Sequence, residues 1–393
     1  MGPHSCMSVL KSLGLRQAMG VLPLAMLASG LLLPAAAQMA HLSEGPQLVS
    51  LNRESWTAAN PMVRVLVFEG SGLDVAAAAG PLLLRDAAGR VLAELLPGQS
   101  LQLTPDPLSP TGTGLRWQLS AAQTMGVATG ASSGASTGVS EADLWLEPAV
   151  PEARLSLQQR QYRGQCQLRR VQNALQAVNH LPLETYLPSV VGSEMPPSWP
   201  QPALRAQAVA ARTYALRQRR PGDPFDLRAT VSSQVYRGVE SETDSTREAV
   251  EATRGQVLTY GGSLIEAVFH SSSAGTTEAS GELWAQQLPY LVPVRDDDDY
   301  SPVRSWQERF DPEQLRRLFA DLGGVTGLAV LSRTSSGRVG QVRVEGPAGV
   351  LVLSGAQLRQ RLGLRSTQIE IEVLTRNQPL SSEPLSSQPL SRQ

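Results

Sequence analysis

Glu194 lies in the stretch LPLETYLPSVVGSEMPPSWPQPALRAQAVAARTYALR, residues 181–217, and its surroundings suit acid chemistry. Leu183, Leu187, Val190 and Val191 fall at helical spacing on one face, and Glu194 continues that stripe one turn beyond Val190. The pattern therefore points the carboxyl towards packed protein. Pro196 and Pro197 stop the helix, leaving Glu194 in the last turn, where the negative end of the helix dipole disfavours an anion. Burial and dipole both raise a carboxyl pKa, as a general acid near neutral pH requires. The same pattern also fits a structural glutamate that hydrogen-bonds the Trp199-Pro200 loop. Pro188 adds a constraint: it must sit in the first turn or kink the helix.

Other polar residues gather nearby in sequence. Arg205 and Arg212 share one face of the following helix, and Gln207 and Tyr214 another, because seven residues make almost two turns. They suit hydrogen bonding to a polar ligand, or equally to the protein body. Gln234 precedes Tyr236, which reads as a stacking or hydrogen-bonding residue at a cleft or as a half-buried strand tyrosine. His270, Ser271, Ser272 and Ser273 are adjacent at a strand end, too close in sequence to face one another as nucleophile and base, and no G-x-S-x-G elbow is present. A polar ligand-facing loop fits them better, with His270 orienting Glu194, binding substrate or serving structure. Asp296 to Asp299 match no calcium loop and read as a solvated turn.

The positioning elements follow from periodicity. Residues 62–104 form a β-rich segment, with Val63, Val65 and Val67, then Leu82 and Leu84, then Leu101 and Leu103, broken by glycines. Residues 105–142, dominated by Pro, Gly, Ser, Thr and Ala, read as a flexible insertion. A main domain spans 143–374: strands lead into the Glu194 helix, and a second helix follows with the small buried face Leu204, Ala208, Ala211 and Ala215. Ser245 to Glu248 has capping-box form before a short helix stopped by Gly255. Residues 257–270 read as a hairpin about Gly261-Gly262 that ends on His270, and 342–353 as another, with Ser354 and Gln357 capping a helix that ends at Gly363. A last strand is expected at 369–374, then a low-complexity, disordered tail over 375–393. The fold class is α+β, with β-rich segments around a central helical pair.

The chain has 393 residues, 41% hydrophobic, enough for real cores, so disorder throughout is excluded. Net charge is -1 with no basic block, which excludes nucleic acid as an expected partner. Lys11 and Arg16, an apolar run from Met19 to Leu33 and the small residues Ala35 to Ala37 read as an export signal over residues 1–37, or as an uncleaved anchor, followed by a linker over 38–61. Nothing later in the sequence has the length to span a bilayer. With Cys6 in the signal, Cys166 is the lone cysteine of the mature chain, so neither a disulfide nor a cysteine metal site is expected.

An ordered series of motifs resembles the SpoIID/LytB family: Leu183-Glu184-x-Tyr186-Leu187, Ser193-Glu194-Met195-Pro196, Ser198-Trp199-Pro200, the run from Ala203 to Tyr214, Gln234-Val235-Tyr236-Arg237-Gly238, His270 to Gly275, Pro289-Tyr290-Leu291 and Ser336-Gly337-Arg338-Val339. The resemblance implies a peptidoglycan-directed protein outside the cytoplasmic membrane. Some members are lytic transglycosylases that cut glycan strands lacking stem peptides, with the glutamate of Ser-Glu-Met-Pro as catalyst, here Glu194. Others stimulate a cell-wall amidase, which makes such an amidase a candidate partner. Gln207 and Arg212, inside the matched run, become the preferred substrate-binding pair, joined by Tyr214, Gln234, Tyr236, His270, Ser271, Ser272 and Ser273. Residues 225–233 lack the Cys and His that hold a metal in some members, so no zinc and no other cofactor is expected. Ala274 stands where the family's second glycine usually follows the serine run.

Overall fold

The computed structural model describes residues 45–59, 61–120, 136–299, 301 and 303–373. The expected signal, part of the linker, the centre of the flexible insertion and the tail lie outside these residues. Among those described, no helix is long and apolar enough to cross a membrane. The chain is α+β and divides into two compact units, one of residues 1–273 with 296–303 and one of 274–295 with 304–393. The division falls within the stretch the sequence suggests as one main domain.

The first unit is built on sheets whose inward faces follow the period-two pattern. A seven-stranded sheet runs Leu227–Arg228, Met62–Gly70, Ala174–Pro182, Gln165–Val171, Leu144–Pro148, Leu82–Arg85, Val91–Leu95. All neighbours pair antiparallel except the first two, where Leu227 sits opposite Val65 in parallel register. Val63, Val65, Leu82, Leu84, Leu144, Leu146 and Leu181 are fully enclosed, each burial contributing about 1.5–3 kcal/mol. A six-stranded sheet runs Arg160–Tyr162, Arg154–Leu157, Leu73–Ala79, Ser100–Pro105, Leu115–Leu119, Thr137–Ser140. Its last two strands lie in the stretch whose composition reads as a flexible insertion. Alternation of Leu115, Trp117 and Leu119 into the core outweighs the local Gly and Ser content.

Among the described residues, the α-helices of this unit are α1 (Arg53–Ala59), α2 (Leu183–Glu194), α3 (Gln201–Arg217) and α4 (Asp244–Ala252). In α2, Leu183, Tyr186, Leu187, Val190 and Val191 are buried, as the stripe predicts. Pro188 lies inside the helix rather than in its first turn, so the carbonyl of Glu184 loses an intrahelical donor. In α3 the expected stripe Leu204, Ala208, Ala211 and Ala215 is buried, its alanines small enough for neighbouring helices to approach closely, and Gln207, Val209, Ala210, Arg212 and Thr213 are buried as well. The α4 cap is Thr243 with Thr246, upstream of the Ser245 start read from sequence; the Thr243 hydroxyl accepts from Thr246 N–H, and the Thr246 hydroxyl oxygen accepts from Thr243 N–H.

Two strand expectations are corrected. The hairpin at Gly261-Gly262 forms with both glycines at positive φ, but its second strand is only Ser263–Leu264, and 265–270 leave the sheet. Residues 369–373 are not a strand. Ile371 and Val373 are exposed, so their apolar pattern meets no sheet.

The second unit carries a three-stranded antiparallel sheet, Gly327–Arg333, Val339–Gly346 and Gly349–Ser354, with α5 (Ser280–Leu283), α6 (Pro312–Leu318) and α7 (Gly355–Leu362). Its core gathers Phe319, Leu322, Val339, Val342, Val344, Leu353 and Leu358. Ser354 and Gln357 cap α7, which ends at Gly363 with φ 66°. The Ser336-Gly337-Arg338-Val339 motif is a structural pin here. The buried Glu278 carboxylate accepts from Thr334 Oγ1 and Ser336 Oγ, both at 2.7 Å, and Arg338 donates to Ser336 Oγ at 2.7 Å and to the Thr276 carbonyl at 3.0 Å.

Candidate active site

Glu194 is the last residue of α2 and 7% exposed. Its Oε1 accepts a 2.7 Å hydrogen bond from the Val235 amide, not from the Trp199-Pro200 loop. Oε2 carries no hydrogen bond among the described residues, nor is it one of the enclosed, unpartnered oxygens, so it opens to solvent. Burial pushes the carboxyl above its ordinary 4.5, while the Val235 amide and the Arg237 guanidinium pull it partly back. The result is one oxygen fixed by backbone and the other available, on a carboxyl whose pKa burial raises.

The Val235 amide is aimed by its neighbours. Gln234 is fully buried, accepting from Tyr186 OH at 3.2 Å and donating to the Ala211 carbonyl at 3.2 Å. Tyr236, 2% exposed, donates to Asn179 Oδ1 at 2.9 Å and packs its ring against Tyr162 and Tyr186. Gly238 ends the run at φ 78°, where a Cβ would meet the Gln161 carbonyl oxygen at 2.2 Å. On the α2 side, Gly192 allows the Ser241 carbonyl to approach; a Cβ there would lie 1.9 Å from its oxygen. Ser241 Oγ sits 2.9 Å from Ser189 Oγ and accepts from Ser193 Oγ at 3.1 Å, fastening the last turns of α2.

These contacts reassign several residues expected at a ligand. Arg212 is completely enclosed and forms a two-point pair with Glu184, Nε to Oε1 at 2.8 Å and Nη2 to Oε2 at 2.9 Å. Its remaining donors reach Thr253 Oγ1 and the carbonyls of Gln256 and Val250. It ties α2, α3 and α4 together and has no surface to offer a sugar. Tyr236 and Gln234 likewise hold the backbone that serves Glu194 rather than a cleft wall. Gln207, 2% exposed, is buried on α3. Tyr214 is half-buried, its hydroxyl hydrogen-bonded with Ser233, and burial raises its pKa. Arg205 pairs with Glu248 at 3.2 Å, a surface tie.

His270 is exposed. The serines after it are anchored on the acidic run: Asp298 accepts from the Ser272 hydroxyl and, at 2.8 Å, from Ser273 N–H, while Ser273 Oγ donates to Asp296 at 2.9 Å. Asp296 is thus 6% exposed, not part of a solvated turn. Among the described residues no group of three or more His, Cys, Asp or Glu side chains gathers as metal ligands. Burial pushes the Cys166 thiol up to about 12, which leaves it unreactive at neutral pH. A cavity of about 370 Å³ is lined by Glu184, Pro188, Glu242, Arg247 and Arg254 at the opposite end of α2, about 15 Å along the helix from Glu194. It is not the acid's cleft.

Glu184, Tyr186, Asn179 and Arg237 escaped the sequence reading as site residues. Three of them stand within the quoted motifs, but only burial and hydrogen bonding separate the supports from Arg237, which is exposed.

Residues 171–260 match the family model described as SpoIID, Stage II sporulation protein. That segment includes Glu194 and its whole hydrogen-bonded frame but stops before His270. The chain is 43% identical over 136 residues to the Amidase enhancer of Bacillus subtilis, covering 35% of this chain and 18% of that protein. It is 31% identical over 217 residues to Stage II sporulation protein D of the same organism, covering 50% and 62% of the two chains. To Stage II sporulation protein D of Bacillus amyloliquefaciens it is 34% identical over 214 residues, covering 49% and 61%. The chain thus spans less than two thirds of the length of each of these relatives. The family model falls on the frame that holds Glu194, and relatives bearing both of the family's names match parts of the chain, so over this segment the chain is similar to the SpoIID/LytB family.

Proposed function

We propose that this chain acts on peptidoglycan outside the cytoplasmic membrane, as a lytic transglycosylase that cuts glycan strands lacking stem peptides with Glu194 as its single general acid and base. The observation that carries this reading is the Glu194 carboxyl itself, enclosed at a helix end, raised in pKa, and held by the Val235 amide through one oxygen only. Hydrolases usually need two carboxylates to break a glycosidic bond. A lytic enzyme manages with one. The Glu194 proton passes to the glycosidic oxygen as its bond to C1 breaks. The resulting carboxylate takes the proton of the same sugar's C6 hydroxyl as O6 closes on C1. The products are a new hydroxyl end and a 1,6-anhydro ring, with no water consumed and Glu194 reprotonated. Such acid–base work is worth about 10² to 10⁴ in rate.

The second reading is a non-catalytic glycan-binding enhancer of a cell-wall amidase, favoured by the 43% identity to the Amidase enhancer. One assay separates the two. Purified protein is incubated with peptide-free glycan and the products are examined for anhydro-muramic ends. Such ends are expected from wild type and absent with Glu194→Gln. Equal release by the variant refutes the catalytic role, and no release with acceleration of an added amidase establishes the second reading.

A further inference from the structure

In the run from Gln234 to Gly238 side chains alternate: Gln234 and Tyr236 are locked inward, and Arg237 is exposed two residues beyond the amide that holds Glu194. Arg237 makes no hydrogen bond or ion pair among the described residues, in a chain where many arginines are paired. It nevertheless acts electrostatically on Glu194 and favours its ionised form. Tyr186 lies within electrostatic reach of Glu194, and burial raises its pKa; the Glu240 carboxylate, three residues beyond Arg237, accepts from the Gln161 amide at 2.8 Å. An unpaired guanidinium beside a carboxyl that must keep its proton works against the acid, unless an anion neutralises it when substrate binds.

The substrate class proposed above supplies such an anion. A muramyl residue stripped of its peptide has a free lactyl carboxylate, whereas the same position on a peptide-bearing strand is a neutral amide. A guanidinium pairs with a carboxylate through two parallel hydrogen bonds and gains little from an amide. We propose that Arg237 selects muramyl units whose lactyl carboxylate is free, by pairing with that carboxylate beside Glu194. The inference rests on the glycan-directed reading of the site. It adds a reason why peptide-free strands would be preferred.

The test has a binding arm and a cleavage arm, both on the full chain. Binding of N-acetylmuramic acid and of its lactyl methylamide is measured calorimetrically in the Glu194→Gln background, with and without Arg237→Gln or Arg237→Lys. The acid is expected to bind about tenfold tighter than the amide. Arg237→Gln removes that ratio and Arg237→Lys restores part of it. In the cleavage arm, peptide-free glycan is compared with the same glycan after its carboxylates are converted to methylamides. The ratio is expected in KM and is lost in Arg237→Gln. A wild type that does not discriminate, or an Arg237→Gln variant that discriminates as wild type does, overturns the proposal. If neither glycan is cut while the binding ratio holds and depends on Arg237, the lytic reading fails and Arg237 keeps its role. If both are cut with equal KM, the lytic reading stands and this one falls.

Discussion

Replacing Arg212 by methionine tests whether this arginine is a support or a ligand contact. Its side chain is fully enclosed and its pair with Glu184 has N–O distances of 2.8 and 2.9 Å. Removing the guanidinium leaves the Glu184 carboxylate, whose side chain is 7% exposed, with only the Trp56 Nε1–H donor at 2.9 Å. It also strips donors from the carbonyls of Val250 and Gln256. Methionine retains much of the volume, so the loss is mainly that of an uncompensated buried charge, about 3–5 kcal/mol. The second variant is Glu184→Met and the third the double substitution, whose loss should fall short of the sum of the singles by about 2 kcal/mol. Urea unfolding of the four proteins reads these differences, with hydrogen exchange localising them to α2, α3 and α4. A loss below about 1 kcal/mol in Arg212→Met, accompanied by weakened glycan binding, would refute the reasoning and return Arg212 to the substrate.

Glu194→Gln should be more stable than wild type at pH 7, because the raised pKa means that ionising Glu194 opposes folding. Stability from the protonated form is fully present below 4.5 and lost as pH rises through the raised value, so the advantage of glutamine should shrink on acidification; melting temperatures at pH 7 and pH 4 check this. By the same sign, glycan cleavage should fall as pH rises through the Glu194 pKa, a limb read from the pH profile of kcat/KM. Tyr236→Phe leaves Asn179 Oδ1 without its buried donor and should cost about 1–3 kcal/mol in urea unfolding, with KM for glycan unchanged. Gly192→Ala drives a Cβ into the Ser241 carbonyl and should destabilise the chain by more than about 2 kcal/mol, measured by the same unfolding assay.

Much of the frame was legible because it obeys local periodicity. The α2 stripe, the small face of α3, the Gly346–Gly349 hairpin and the Ser354 cap each follow from spacing within about a dozen residues. What failed depended on partners distant in sequence. Leu115–Leu119 joins a sheet through pairing with Ser100–Pro105, which outweighs the turn-rich composition around it. Residues 265–270 look like a strand but have no ladder to complete. Residue type also misled where polarity served packing. Arg212, Gln234 and Tyr236 have the chemistry of sugar contacts, yet each spends its hydrogen bonds inside the protein.

Sequence alone determined that Glu194 would end an amphipathic helix on its buried side, because helical period and the two following prolines are local properties. It also carried the ordered motifs that resemble the SpoIID/LytB family. The tertiary structure decided what Glu194 meets: an amide 41 positions away, presented by a segment whose alternate side chains are pinned by Tyr186, Ala211 and Asn179. It also decided which cation stands outside that frame. Burial and long-range hydrogen bonding arise only when separate elements pack, and they set the pKa of the acid and leave Arg237 exposed beside it.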